Sequence, residues 1–500
     1  RRFAADFPQI PYQLLGCTEW SVSAAGFGTY RIHPDVDQHR QALAYALQNG
    51  INLIDTSSNY ADGKAEELTG QVLQKLAEQG TVDRSSVIVV TKGGYIQGQN
   101  LTITKDRAVA GNSFPEVVEL RENLQHCIHP DFLDDQIERS MQRLNLQTID
   151  VYLLHNPEYY LKYAKEVDIP QREAIEEYYR RIEKAFSFLE SEVDRGRIQY
   201  YGVSSNAFPR SDTEFEHTSL WRLLEIANSI KRKNHFAVIQ MPLNLMETQA
   251  VTEVNQNNGR TTLQIADENR IGTLINRPLN AVRQGKLIRL TDITGSISAN
   301  QEETESYLNV LIRQENHFEK NLLPTFNLDS ENEQLIKELL STGSYLAMHW
   351  QKLGPYEQWL TSQSKILVER IDRAMQILTK HPMLNNEQKQ WIQYYTETFN
   401  NALDGLTALY KRMAVRQNNQ LKKMIQSIEK DWDNARGLTH KALRAIRSTS
   451  GIHCTLVGMR HEDYVKDILQ ELKQTVPYTD RLQSWSKLKN VLKNYADDRL

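Results

Sequence analysis

From Tyr12 to Leu290, short apolar and β-branched runs alternate with longer segments whose apolar residues recur every three or four positions. The first kind reads as buried strands, the second as amphipathic helices. A hairpin is expected at Tyr12–Leu15 and Trp20–Ser23. Strands are then expected at Ala24–Tyr30, Ile51–Thr56, Ser86–Thr91, Ile149–His155, Ile198–Ser204, Phe236–Met241 and Ile271–Ile275. Helices are expected between them at Asp37–Gln48, Ala65–Gln79, Pro130–Leu144, Ile175–Asp194, Leu220–Lys231 and Thr261–Glu268. Asn49-Gly50 is a stop signal for the first helix. An eighth strand waits until Ile452–Gly458, with a helix before it (Lys441–Ile446) and two after it (Glu462–Gln474 and Thr479–Tyr495).

Between about Thr291 and Thr439 no strand pattern appears. Helical patterns run over Glu303–Phe318, Glu331–Leu340, Lys365–Thr379, Glu387–Arg416 and Leu421–Arg436, which suggests an insertion of three to five helices. The expected fold class is therefore α/β: a closed (β/α)₈ TIM barrel with an inserted all-α helical domain. The barrel would take residues 1–290 and 440–500, the insertion 291–439. An open doubly wound sheet is the rival. It is weakened because Gly26-Phe27-Gly28-Thr29-Tyr30 does not continue into the glycine-rich turn such sheets use for dinucleotides.

Five hundred residues exceed one ordinary domain core, which fits a barrel with an addition. A net charge of −4 gives no basis for a nucleic-acid partner. No apolar stretch approaches the roughly 20 residues of a membrane helix. Cys17, Cys127 and Cys454 lie far apart, so a reducing compartment and no structural metal are expected. That points to the cytoplasm, with organellar import through an upstream segment as the alternative, since the chain begins at Arg1.

Candidate chemistry collects at the carboxyl ends of three successive strands: Asp55 and Tyr60, then Lys92, then His155. A phenol is a poor acid at neutral pH, and a nearby ammonium is expected to lower its pKa. Lys92 is the candidate cation, Asp55 its partner, and His155 a group that could hydrogen-bond a carbonyl oxygen. The set suits carbonyl reduction or its reverse, with hydride from a cofactor. No GxSxG elbow is present for hydrolysis. Taken singly, a strand-end Asp or Lys is more often a cap or surface ion pair, a lone His more often structural, a lone Tyr more often packing. Four in order on consecutive strands outweigh those readings.

In these segments the chain resembles the aldo-keto reductase superfamily. Asp55-Thr56-x-x-x-Tyr60 with Glu66 and Gly70, Thr91-Lys92, Asp150 through Pro157, Tyr201-Gly202-Val203-Ser204-Ser205-Asn206, and Gln240 with Asn244-Leu245 are each similar to that family's segments, in order. The resemblance implies a nicotinamide cofactor, usually NADPH with NADH as the alternative. It makes Tyr60 the general acid, tuned by Lys92 and Asp55, with His155 orienting the carbonyl. Ser204, Ser205 or Asn206, and Gln240 would hold the nicotinamide carboxamide. Gly458 and Arg460, before a helix, would meet the adenosine phosphate. Asn276 stands where the family commonly stacks an aromatic residue on the nicotinamide, and Arg277 beside it is also unusual. Stacking is thus expected to be lost or supplied elsewhere.

The expected function is NAD(P)H-dependent reduction of an aldehyde, ketone or sugar-like carbonyl. A cofactor-sensing regulatory protein whose helical insertion contacts a protein partner is the alternative. A lyase or isomerase on the same scaffold is a third class. Residues Gly93–His129 form a long loop beside the site, read as a lid or a disordered segment. Trp350, Trp359, Trp391 and Trp432 are expected to make the insertion's own core.

Overall fold

The computed structural model describes residues 2–283, 285–293, 298–380 and 384–493. The described chain divides into two compact units, one comprising residues 2–279 and 425–493, the other lying within Asn280–Met424.

The first unit is a closed barrel of eight parallel strands. They are β1 (Ala25–Gly28), β2 (Leu53–Asp55), β3 (Ile88–Gly93), β4 (Ile149–His155), β5 (Ile198–Ser204), β6 (Phe236–Pro242), β7 (Gly272–Asn276) and β8 (Cys454–Val457). Each pairs with the next, and β8 closes on β1 through Thr455↔Ala25 and Val457↔Phe27. The helices are α1 (Asp37–Gln48), α2 (Lys64–Glu78), α3 (Pro130–Leu144), α4 (Gln171–Asp194), α5 (Leu220–Ile230) and α6 (Thr262–Glu268). Local signals set their ends. Pro130 opens α3 and His129 Nδ1 accepts from the Asp131 N–H at 3.2 Å. Thr261 and Gln264 form a capping box on α6.

The amino-terminal hairpin (Tyr12–Leu14 with Ser21–Ser23) places Leu15 and Val22 in one cluster with Leu53, Ile88, Val151, Val238 and Leu274. This plugs the amino end of the barrel and leaves the carboxyl end for polar groups. Two glycines mark close approaches. A Cβ at Gly202 would fall 1.8 Å from the Val238 carbonyl oxygen, where β5 and β6 shift register. One at Gly70 would fall 2.6 Å from the Leu144 carbonyl oxygen, so α2 can meet the end of α3 only with hydrogen there.

In the second unit a hairpin (Asn280–Arg283 with Lys286–Arg289) precedes six helices among the described residues. These are α7 (Gln301–His317), α8 (Ser330–Leu339), α9 (Thr342–His349), α10 (Tyr356–Ser362), α11 (Val368–Thr379) and α12 (Asn386–Gln426). That is more than the three to five expected. The expected helix Glu387–Arg416 and the first six residues of the expected Leu421–Arg436 form one helix of 41 residues, and Lys430–Asp433 is a separate short helix. Trp350, Trp359 and Trp391 lie in its core, Trp359 stacking on Tyr410 at 4.9 Å and Trp391 on Phe318 at 4.3 Å. Trp432 does not join them; it packs on Trp485, 5.0 Å away.

Beyond α12 come α13 (Leu438–Arg447), α14 (Glu462–Leu472) and α15 (Leu482–Lys493). The expected end of the last helix at Tyr495 lies outside the described residues. Glu471, fully buried, accepts from Arg444 and Arg447 at 2.6 and 2.7 Å and ties α14 to α13 on either side of β8.

The core of the second unit holds one costly group. The Glu315 carboxyl is buried; Oε1 accepts from the Gly343 N–H at 2.7 Å and the Tyr395 hydroxyl at 2.8 Å, while Oε2 has no partner among the described residues. Burial pushes its pKa up to about 7. A raised carboxyl contributes stability that is full below its unfolded pKa of about 4.3 and is lost as pH rises through about 7. Glu315→Gln should therefore stabilise the protein by up to ~3 kcal/mol at pH 8 and by almost nothing at pH 4.5. Urea titrations at the two pH values read this. Equal gains at both would show that the carboxyl is not strained.

Candidate active site

The carboxyl ends of β2, β3 and β4 deliver the four candidates to one place. Backbone bonds carry the ladder past the end of β2: the Thr56 N–H donates to Val90 O at 2.8 Å and the Ser58 N–H to Lys92 O at 3.2 Å. The chain then turns, with Ala61 and Asp62 at positive φ, and sets Tyr60 over Lys92. Lys92, wholly buried, reaches three oxygens. Its Nζ lies 2.7 Å from Asp55 Oδ1, 2.8 Å from Thr56 O and 3.3 Å from the Tyr60 hydroxyl. The same ammonium sits 4.8 Å from the Tyr60 ring centre. His155 stands edge-on to Tyr60 at 6.1 Å, and its Nδ1 is 3.0 Å from Ser57 Oγ.

The electrostatics correct one expectation. Lys92 was expected to draw the phenol's pKa down. In the structure burial, then Asp55, then Tyr30 hold it well above its ordinary value. The half-buried phenol loses more from desolvation of its anion than a cation already paired with Asp55 returns. The Tyr60 phenol is thus held in its neutral form. Burial lowers Lys92, against the pull of Asp55. Burial, Lys92 and His126 push His155 well below its usual value, so its ring is neutral.

Ser204, Gln240 and Asn276 come together at the ends of β5, β6 and β7. Ser204 Oγ donates to Gln240 Oε1 at 2.9 Å, and Asn276 Nδ2 to the same oxygen at 3.4 Å. Gln240 Nε2 donates across the barrel mouth to Asp55 Oδ1 at 2.7 Å, joining this group to the Lys92 pair. Asn276 Oδ1 is buried and has no partner among the described residues. Ser205 turns away toward Thr218 Oγ1 at 3.4 Å, and the Asn206 N–H is held by Glu158 at 2.9 Å. Arg277, at φ 52, pairs with Glu247 at 2.7 Å. Gly458 is exposed, with open space where a Cβ would lie, and Arg460 is half-buried. The first turn of α14, next to them, carries Glu462 and Asp463.

Several residues here were not read from sequence. The loop Gly93–His129, expected as a lid or disordered, is an ordered layer. Tyr95–Ile96, Leu124–His126 and Val118–Arg121 form a three-stranded sheet, with a helix at Gln99–Val109. It builds the wall behind His155: Tyr95 packs edge-on at 4.7 Å, and His126 Nε2 donates to His155 O at 2.7 Å. Asn156 Nδ2 donates to the Tyr95 hydroxyl at 2.7 Å. Tyr30 closes the other side, 5.2 Å from Tyr60. Strands of two to four residues carry no periodicity by which sequence could reveal them.

No described group of His, Cys, Asp or Glu could hold a metal ion, the three cysteines are free, and no described helix is long and apolar enough to cross a membrane. The sequence model of the aldo/keto reductase family matches residues 24–275. The chain is 30% identical over 149 residues to an NADH-specific methylglyoxal reductase of Escherichia coli (strain K12), covering 28% of this chain and 40% of that protein. It is 25% identical over 213 residues to a putative voltage-gated potassium channel subunit beta of Schizosaccharomyces pombe, covering 42% and 48%. The chain thus spans less than half the length of these curated relatives. Among solved structures, an aldo-keto reductase from Bacillus halodurans (holo form) aligns at TM-score 0.45 and 14% identity, covering 98% and 97% of the two chains. A glycerol dehydrogenase from Gluconobacter oxydans aligns at 0.46 and 15%, covering 98% of each.

Proposed function

We propose, since this chain belongs to the aldo/keto reductase family, that it is an NAD(P)H-dependent oxidoreductase that reduces an aldehyde, ketone or sugar-like carbonyl, or oxidises the matching alcohol. The observation that carries this reading is Lys92 Nζ within reach of both Asp55 and the Tyr60 hydroxyl at the carboxyl end of the barrel. Tyr60 gives its proton to the carbonyl oxygen. The phenolate it becomes then faces an ammonium 3.3 Å away, whereas the neutral phenol gained little from that charge. An interaction that strengthens as charge develops accelerates the step. Asp55 holds Lys92 charged and in place. His155, beside Tyr60, orients the substrate.

A bound nicotinamide would supply the hydride. The polar set suits its carboxamide: Ser204, Gln240 and Asn276 converge, and the orphaned Asn276 Oδ1 lacks the donor that an amide N–H offers. Ser205 and Asn206 flank them. Gly458 and Arg460 are our candidates for the adenosine phosphate, although Glu462 and Asp463 beside them oppose an added 2′-phosphate. Titrating the protein with NADPH and with NADH, then adding a panel of aldehydes and ketones, tests the proposal. Loss of nicotinamide absorbance on at least one carbonyl is the expected result.

A second reading is a nicotinamide-binding regulatory protein whose helical unit contacts a protein partner. The name of the S. pombe relative favours it, as does Asn276 in place of an aromatic. Tight cofactor binding with no turnover on any carbonyl would select it over the first.

A further inference from the structure

Tyr60 owes its place over Lys92 to the turn that follows it, and that turn runs against the steric preference of its residues. Ala61 (φ 49, ψ 37) and Asp62 (φ 56, ψ 43) are both left-handed, and Gly63 at φ 87 continues the run. Glycine takes this conformation freely, whereas a Cβ crowds the following carbonyl oxygen in it. Two such residues side by side persist only where their surroundings over-determine them. The turn's own bonding is thin, since the Asp62 N–H reaches Asn59 O at 3.4 Å. On its far side α2 is pinned: Glu66, fully buried in the first turn of α2, accepts from Thr91 on β3 and from Arg143 on α3. A return of Ala61 or Asp62 to the right-handed region would swing φ by roughly 110°. With α2 fixed, that displacement falls on Tyr60.

The contact that opposes it comes from outside the turn. The two carboxylate oxygens of Asp62 accept the Gln99 N–H at 3.0 and 3.3 Å, where the Gln99–Val109 helix begins. That N–H has no partner within its own helix, and a carboxylate makes a charge-assisted bond to it. The carboxylate fits because residue 98 is glycine: a Cβ on Gly98 would fall 2.3 Å from Asp62 Oδ1.

We propose that Asp62, docked on the Gln99 amide, is a positioning residue for Tyr60: its carboxylate holds the left-handed turn, and the turn holds the phenol within reach of Lys92. This rests on the oxidoreductase reading above. It gives the Gly93–His129 layer a second task, since the layer that walls His155 also fixes the proton donor.

Four variants of the full chain test it. Asp62→Ala should lower kcat by roughly three- to tenfold, the worth of one exposed hydrogen bond, with the nicotinamide dissociation constant unchanged. Asp62→Asn, which keeps an acceptor oxygen and tolerates the left-handed region, should stay within about twofold of wild type. Ala61→Gly should change little alone, and added to Asp62→Ala it should restore most of the loss, because glycine keeps the turn without being held there. Hydrogen exchange read by mass spectrometry follows the turn without turnover. Peptides spanning Asn59–Lys64 should exchange faster in Asp62→Ala and at the wild-type rate in Asp62→Asn. Unchanged exchange in Asp62→Ala would overturn the proposal, as would faster exchange at wild-type kcat or a loss that Ala61→Gly does not repair. A wild-type chain that reduces no carbonyl would end the oxidoreductase reading and with it the part of Asp62 in turnover, while exchange would still decide whether its carboxylate holds the turn.

Discussion

Tyr60→Phe should lower turnover about 10³-fold, within the 10²–10⁴ span typical of a lost general acid, while leaving cofactor affinity and fold in place. The change removes one oxygen. The ring keeps its edge contact with Tyr30 at 5.2 Å and its place 4.8 Å from the Lys92 ammonium. Only the hydroxyl's bond to Lys92 Nζ is lost, and Nζ retains Asp55 and Thr56 O. Loss of kcat with an unchanged dissociation constant for the nicotinamide is thus the specific signature. It is read by stopped-flow reduction and by quenching of protein fluorescence. A variant that keeps a tenth or more of wild-type turnover would remove Tyr60 from the chemistry and pass the proton to water or to His155.

That prediction rests on a strand end that sequence placed correctly and on an electrostatic balance it did not. Ile149–His155 was legible to the residue: a seven-residue apolar run between a polar turn and Pro157 has one way to be buried. Asp37–Gln48 and Pro130–Leu144 were equally plain, because Asn49-Gly50 and Pro130 punctuate them. The polar stretch Gln417–Gln420 reads as a gap between two helices, yet α12 runs through it. There the buried Asn418 donates to Thr291 O at 2.7 Å, a partner 127 residues away that compensates a poor helix former. Ser57 left no signal for the same reason, since its partner His155 is 98 positions on. The direction of the Tyr60 shift was missed because Lys92 was visible in the sequence and the burial around Tyr60 was not.

Lys92→Met should be the most damaging single change at this site, for two separable reasons. Once Tyr60 has given up its proton, an ammonium 3.3 Å from the phenolate is worth about 5 kcal/mol at an effective dielectric near 20. Losing it should depress kcat by at least as much as Tyr60→Phe does. The same substitution leaves Asp55, 5% exposed, as a buried carboxylate with the Gln240 amide as its remaining side-chain donor. Breaking a buried pair in this way costs about 3–5 kcal/mol of stability. Adding Asp55→Asn to Lys92→Met separates the two effects, because asparagine can still accept from Gln240 and carries no charge to strand. The double variant should regain most of the lost stability in a denaturant titration and none of the turnover. If stability and activity returned together, Lys92 would be a scaffold for the barrel mouth and the phenolate would need another counter-charge. If Lys92→Met proved as stable as the wild type, Asp55 would have to be neutral, and the ion pair that steadies Lys92 for Tyr60 would not exist.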